Sequence, residues 1–154
     1  MTPPEAIDFQ YGKAGKPYLC CGLEFNLTTS GDLALAAVRR QRPLGVDCEL
    51  LRPRGDLIAV ARRAFAPADA ALVSRAPETE RLAAFNLAWT ALEASVKADG
   101  RGLFRSRKAP PLPDMDVIHF IPEDGFIAAL AGAHLPPVSE WVTLSAPPGR
   151  ALGP

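Results

Sequence analysis

The run Glu78-Thr-Glu-Arg-Leu-Ala-Ala-Phe-Asn-Leu-Ala-Trp-Thr-Ala-Leu-Glu-Ala-Ser-Val-Lys-Ala98 is the strongest periodic segment of the chain. Leu82, Phe85, Trp89, Leu92 and Val96 recur at three- and four-residue steps, the spacing of one helix face. Glu78 and Glu80 suit the positive end of the helix dipole, and Gly100 supplies a C-terminal stop. At about a hundred degrees per residue, Asn86, Thr90, Glu93 and Lys97 form a polar stripe beside the apolar one. This predicts a long helix whose apolar stripe packs on a sheet and carries Glu93 toward it.

Upstream, Leu23 to Thr28, Leu33 to Arg39 and Leu44 to Leu50 are β-prone and separated by the turn formers Ser30-Gly-Asp32 and Gln41-Arg-Pro43. They predict a three-stranded antiparallel meander. Asp56 to Ala64 is helical by composition, and Pro67 suits the start of another helix to Ser74. Downstream, Met115 to Ile121 and Phe126 to Ala131 read as a hairpin hinged at Pro122-Glu-Asp-Gly125, with Trp141 to Leu144 as a last strand. The class is α+β, an antiparallel sheet packed against a long helix. Residues 1–24 read as an extended lead-in, 25–146 as one domain and 147–154 as a frayed tail.

Composition narrows the function. Seventeen basic residues balance seventeen acidic ones, so no nucleic-acid partner is expected. Apolar stretches fall short of the ~20 residues that span a bilayer, and Met1-Thr-Pro-Pro-Glu lacks the features of a signal peptide, so no membrane role and a cytoplasmic location are expected. Cys20, Cys21 and Cys48 match neither a disulfide framework nor a zinc spacing and read as buried free thiols. His119, between apolar neighbours, and His134, before Leu-Pro-Pro, read as structural. Gly100 and Gly102 follow a helix rather than open one, so they reverse the chain and do not cradle phosphate.

Gly45-Val-Asp-Cys-Glu49 carries the chemistry. In a strand, Asp47 and Glu49 point to one face and Val46 and Cys48 to the other. Two carboxylates on one pleat repel each other unless a cation lies between them. Magnesium takes oxygen ligands and binds through one or two carboxylates plus a substrate phosphate, which Asp47, Glu49 and Glu93 would suit, with Lys97 one turn on to meet phosphate charge. The bland reading is an exposed Asp-x-Glu strand and an ordinary Glu93–Lys97 helix pair. Arg39, Arg40, Arg42, Arg52 and Arg54 concentrate base nearby, as a solvated rim or as a dock for an acidic protein.

Gly15-Lys-Pro-Tyr-Leu19, Phe25-Asn-Leu-Thr-Thr-Ser-Gly31, Gly45-Val-Asp-Cys-Glu49, Ala64-Phe-Ala-Pro67, Trp89-Thr-Ala-Leu-Glu-Ala94 and Lys97-Ala-Asp-Gly-Arg-Gly-Leu103 together resemble the 4'-phosphopantetheinyl transferases of the surfactin-synthetase-activating type, in order and spacing across residues 7–104. The resemblance implies an α+β fold and transfer of phosphopantetheine from coenzyme A to a serine of an acyl- or peptidyl-carrier protein, with Mg2+. It also implies that Asp47, Glu49 and Glu93 hold the metal, that Glu93 takes the serine proton, and that Lys97, Lys16, Thr28 and Thr29 meet the coenzyme. Three departures accompany it. Thr29 stands where the family pattern has histidine, Leu92 where it has lysine, and the likeness covers only the second of two similar halves. A second copy in a homodimer is the economical source of the missing surface. The competing readings are a non-catalytic relative that binds coenzyme A or a carrier protein, and an unrelated α+β interaction module.

Overall fold

A computed structural model of the chain describes residue 3 and residues 6–12, 15–100 and 114–145. The tail at 147–154, Gly102 and the end of the last motif at 101–103 lie outside the described residues. Strands β1 (Gln10–Tyr11) and β2 (Pro17–Tyr18) form a short antiparallel ribbon. Then follow β3 (Leu23–Ser30), β4 (Leu33–Arg40), β5 (Leu44–Leu50), helices α1 (Leu57–Ala64), α2 (Pro67–Arg75) and α3 (Glu78–Asp99), and strands β6 (Met115–Phe120) and β7 (Phe126–Ala133).

The expected meander is corrected. β3 and β4 pair with each other, but β5 leaves them and joins a sheet of order β5-β7-β6, with Val46 opposite Leu130. The reason lies in β3, whose alternate residues Asn26, Thr28 and Ser30 turn polar side chains toward β5. The Val46 amide donates to Asn26 Oδ1 at 2.9 Å, and the Leu50 amide donates to Ser30 Oγ at 3.0 Å. Side chains thus satisfy backbone donors that a ladder would otherwise have taken. On the face of the sheet remote from α3, Cys48, Phe126 and Ala128 pack with Leu33 and Leu35 of β4.

The three helices form where capping and periodicity place them. Asp56 Oδ1 accepts from the Ala59 amide at 3.0 Å and caps α1, Pro67 opens α2, and Gly100, in the left-handed region at φ 69°, closes α3. The packing of α3 differs from expectation. Phe85, Trp89 and Leu92 turn away from the sheet and cluster with Phe65, Ala61 and Val73 of the α1–α2 side, with Phe85 and Trp89 stacked at 5.9 Å. The sheet instead meets Ala94 and Ala98, which pack on Ala129 and Ala131 of β7, while Asn86 and Thr90 on the same helix are buried. Helix α3 is therefore covered on two sides: Asn86 and Thr90 of its polar stripe are buried, while Glu93 and Lys97 stay partly exposed at the border with solvent.

Gly45 shows how close that second contact is. A Cβ there would lie 2.1 Å from Ala94 O and 2.4 Å from Ala98 N, against the α3 backbone itself. Two smaller expectations also change. Trp141 to Leu144 is not a strand: a single 3-10 turn covers Val138–Glu140, and the Trp141 indole donates to Pro136 O at 2.9 Å and meets Phe120 edge-on. Cys20 and Cys21 are exposed, because they fall in the turn between β2 and β3, whereas Cys48 is buried.

Candidate functional site

Because Gly45, Asp47 and Glu49 share one pleat face, the side that admits the α3 backbone at Gly45 also presents Asp47 to that helix. Lys97 Nζ donates to Asp47 Oδ1 at 2.7 Å and to Val46 O at 3.1 Å. Thr28 Oγ1 donates to the same Asp47 Oδ1 at 3.2 Å. The other oxygen, Oδ2, is buried and has no hydrogen-bond partner. A buried carboxylate oxygen without a donor is costly, and a cation bound there would offset that cost.

Glu49 is held differently. It pairs with Arg54 at 2.5 Å and accepts from Ser30 Oγ at 3.2 Å. Glu93 is half-buried on α3. Burial first, and then the negative charge of Asp47, push its carboxyl above the usual range, with Lys97 opposing and Glu49 adding a little. Burial likewise raises Asp47, against the hydrogen bond and charge of Lys97. The strand and the helix, far apart in sequence, therefore bring three carboxylates into one electrostatic neighbourhood. Among the described residues, no three of them are close enough to form a finished metal cage. The orphaned Oδ2 would suit a divalent ion, while the chain's own Lys97 and Arg54 already offset part of the charge. Cys48, on the opposite face, is pushed up to about 11 by burial and by Asp47, so it remains a thiol.

The expected coenzyme residues divide. Lys16 and Lys97 line one hollow of about 230 Å³ together with Gly15, Asn26, Val96 and Gly100. Lys16 Nζ donates to Leu44 O at 3.1 Å, and burial lowers its pKa against the raising charges of Glu24 and Asp99. Two ammonium groups over a small hollow suit a phosphate group. Thr28 faces Asp47, but Thr29 lies on the opposite, exposed face of β3 and does not join this cluster. Leu92 packs in the aromatic cluster, away from Glu93. Of the arginines, Arg39 donates to Ala133 O at 3.0 Å, fixing β4 to the end of β7, and Arg54 holds Glu49. His119 sits 2.9 Å from Leu87 O and His134 occupies a turn at φ 50°, so neither belongs to the site.

Asn26 and Ser30 were not singled out from the sequence, although both position the acidic strand. The signal was the alternation Asn26-x-Thr28-x-Ser30, three hydrogen-bonding side chains on one face of a strand whose other face carries Phe25 and Leu27.

Residues 43–141 match the model of the 4'-phosphopantetheinyl transferase superfamily. The chain is 34% identical over 147 residues to the 4'-phosphopantetheinyl transferase HetI of Nostoc sp., covering 84% of this chain and 62% of that protein. It is 36% identical over 99 residues to the 4'-phosphopantetheinyl transferase AcpT of Salmonella typhimurium, covering 63% and 50%. A 4'-phosphopantetheinyl transferase of Bacillus subtilis is 31% identical over 103 residues, covering 65% and 44%. The chain spans roughly half the length of these relatives. No helix of the described residues is long and apolar enough to cross a membrane.

Proposed function

We propose, because this chain belongs to the 4'-phosphopantetheinyl transferase superfamily, that it moves phosphopantetheine from coenzyme A to a serine of an acyl- or peptidyl-carrier protein. The observation that carries the reading is the approach of β5 to α3, which sets Asp47 against Lys97 and leaves Asp47 Oδ2 without a donor. Asp47, Glu49 and Glu93 would hold Mg2+, whose charge offsets that of the coenzyme pyrophosphate. Lys16 and Lys97 bind phosphate oxygens of the coenzyme by charge-assisted contacts.

Glu93 is the base. Half-buried on α3 beside Asp47 and Lys97, it is the carboxylate best placed to accept the serine hydroxyl proton, directly or through a water. The serine oxygen then bonds to the phosphorus, the bond from phosphorus to the bridging pyrophosphate oxygen breaks, and 3',5'-adenosine bisphosphate leaves. Lys97 holds charge on the phosphoryl oxygens during the transfer.

A second copy of the chain is the proposed complement to the site, with the protein acting in the cytoplasm. Support for self-association comes from the outer face of the β3–β4 hairpin, where Leu27 and Val38 are 58% and 59% exposed. A light-scattering mass of twice the chain supports it, and a monomer at assay concentration contradicts it.

The second reading is a non-catalytic relative that binds coenzyme A or a carrier protein. It is favoured by the ion pairs of Asp47 with Lys97 and Glu49 with Arg54, which leave the acids less available, and by the outward position of Thr29. Mass spectrometry of apo carrier protein incubated with the chain, coenzyme A and magnesium separates the two. Addition of one phosphopantetheine, lost with Glu93→Gln, supports the transferase. Saturable coenzyme binding without a mass shift supports the relative that only binds.

A further inference from the structure

The two acids of β5 are held by the same construction. Thr28 of β3 and Lys97 of α3 both donate to one oxygen of Asp47, Oδ1, at 3.2 and 2.7 Å. Ser30 of β3 and Arg54 both donate to one oxygen of Glu49, Oε2, at 3.2 and 2.5 Å. A β3 hydroxyl and a cation thus fix one oxygen of each carboxylate. None of these four donors reaches the second oxygen, Asp47 Oδ2 or Glu49 Oε1.

The Glu49 anchor is itself fixed from both sides. Ser30 Oγ accepts from the Leu50 amide at 3.0 Å, so its single proton is directed to Glu49. Arg54 lies in the loop at 51–56. One end of that loop is tied by the Leu51 amide, which donates to Gly125 O at 2.8 Å, and the other by the Asp56 cap of α1. Arg54 Nε is buried without a hydrogen-bond partner, so the guanidinium meets Glu49 through Nη2 and not as a two-point fork. A one-point contact orients the carboxylate and leaves its other oxygen uncovered. Of the five arginines that flank this strand, Arg39 is committed to Ala133 O, Arg40, Arg42 and Arg52 are exposed, and Arg54 is the one that pairs with Glu49.

We propose that Arg54 is a positioning residue: together with Ser30 it anchors Glu49 Oε2 and so directs Oε1 to the divalent ion shared by β5 and α3. This rests on the metal reading of the site given above. A ligand oriented in advance gives up less freedom on binding, and hydrogen-bonding partners of metal ligands change metal affinity about 10–100-fold. Coulomb repulsion acts in the opposite sense, because a guanidinium close to a divalent ion opposes its binding. The two effects differ in sign, so removal of Arg54 decides between them.

Calorimetric titration of Mn2+ into the full chain, with coenzyme A present, reads the sign. Arg54→Gln is expected to weaken Mn2+ binding at least about tenfold. Arg54→Lys, which restores the charge and one donor, is expected to recover part of the loss. Ser30→Ala, which changes no charge, is expected to weaken binding in the same direction. Arg52→Gln removes an equal charge from the same loop without touching Glu49, and its affinity is expected to stay within about twofold of the unaltered chain. Thermal melts without Mn2+ check that each variant is folded; if Arg54→Gln is not, Ser30→Ala and Arg54→Lys decide the matter. Equal or tighter binding in Arg54→Gln, or an equal loss in Arg52→Gln, overturns the positioning role and leaves the metal reading in place. Absence of Mn2+ binding by the unaltered chain contradicts the metal reading, and the positioning role falls with it.

Discussion

Against α1 and α2, helix α3 presents Phe85, Trp89 and Leu92; against the sheet it presents Ala94 and Ala98. The first contact is built by filling space with large side chains, the second by removing atoms until two backbones meet. Side-chain packing can relax around a change, because neighbouring rotamers share the adjustment. Backbone contact cannot. The site is placed on the unforgiving side: Asp47 shares a pleat face with Gly45, and Lys97 is next to Ala98, so the distance between acid and base is fixed by the absence of a Cβ.

The comparison is broken most directly at Gly45. Gly45→Ala puts a methyl group 2.1 Å from a backbone oxygen of α3 and is expected to cost more than about 4 kcal/mol, read by urea unfolding, with loss of any transfer activity. Phe85→Ala, on the filled side, is expected to cost about 3–4 kcal/mol and to leave the Asp47–Lys97 pair in place. A smaller loss from Gly45→Ala than from Phe85→Ala would reverse the proposed ranking of the two faces.

Lys97→Met sharpens the comparison within the site. Asp47 would keep its burial and lose its cation, at an expected cost of about 1–2 kcal/mol after allowing for the partial exposure of Lys97. The cost depends on pH with a definite sign. Asp47 and Glu93 have carboxyls raised in the folded protein, so the fold binds protons more readily than the unfolded chain does. Stability therefore falls as pH rises from the ordinary carboxylate range through the raised values. Lys97→Met steepens that fall, and its penalty disappears in acid, where Asp47 is neutral in both states. Thermal melts of both proteins across acid to neutral pH measure it.

The smallest stability effect is expected from Glu93→Gln. Removing a half-buried charge repelled by Asp47 and Glu49 should raise the midpoint of thermal unfolding at neutral pH, with the gain closing in acid. The same substitution should lower transfer by about a hundredfold or more, since it removes the proton acceptor. A variant that is both less stable and fully active would remove Glu93 from its assigned role.

Much of this arrangement was legible in the residues. The long helix was readable because its apolar period is sustained and its ends are marked by Glu78, Glu80 and Gly100. The pleat face shared by Asp47 and Glu49 followed from period two alone. What escaped was the partner of each face. A helix wheel shows that Phe85 and Trp89 are apolar, but not that α1 and α2 would cover them while alanines took the sheet. Turn chemistry between β4 and β5 suggested a meander, yet the polar side chains of Asn26 and Ser30 replaced the ladder that would have made one. Those are tertiary choices, decided by which surfaces compete, and no local pattern holds them. Thr29 was assigned through the family resemblance, and period-two alternation, itself legible in the sequence, sets it on the face opposite Thr28.

The proposed transfer depends on the β5 and α3 acids serving one ion. Calorimetric titration of Mn2+, standing in for magnesium, into the chain with coenzyme A present tests that most directly. The expected result is a saturable site that is lost in Asp47→Asn and lost separately in Glu93→Gln. Unchanged binding in either variant would mean that strand and helix do not share an ion, and would contradict the account.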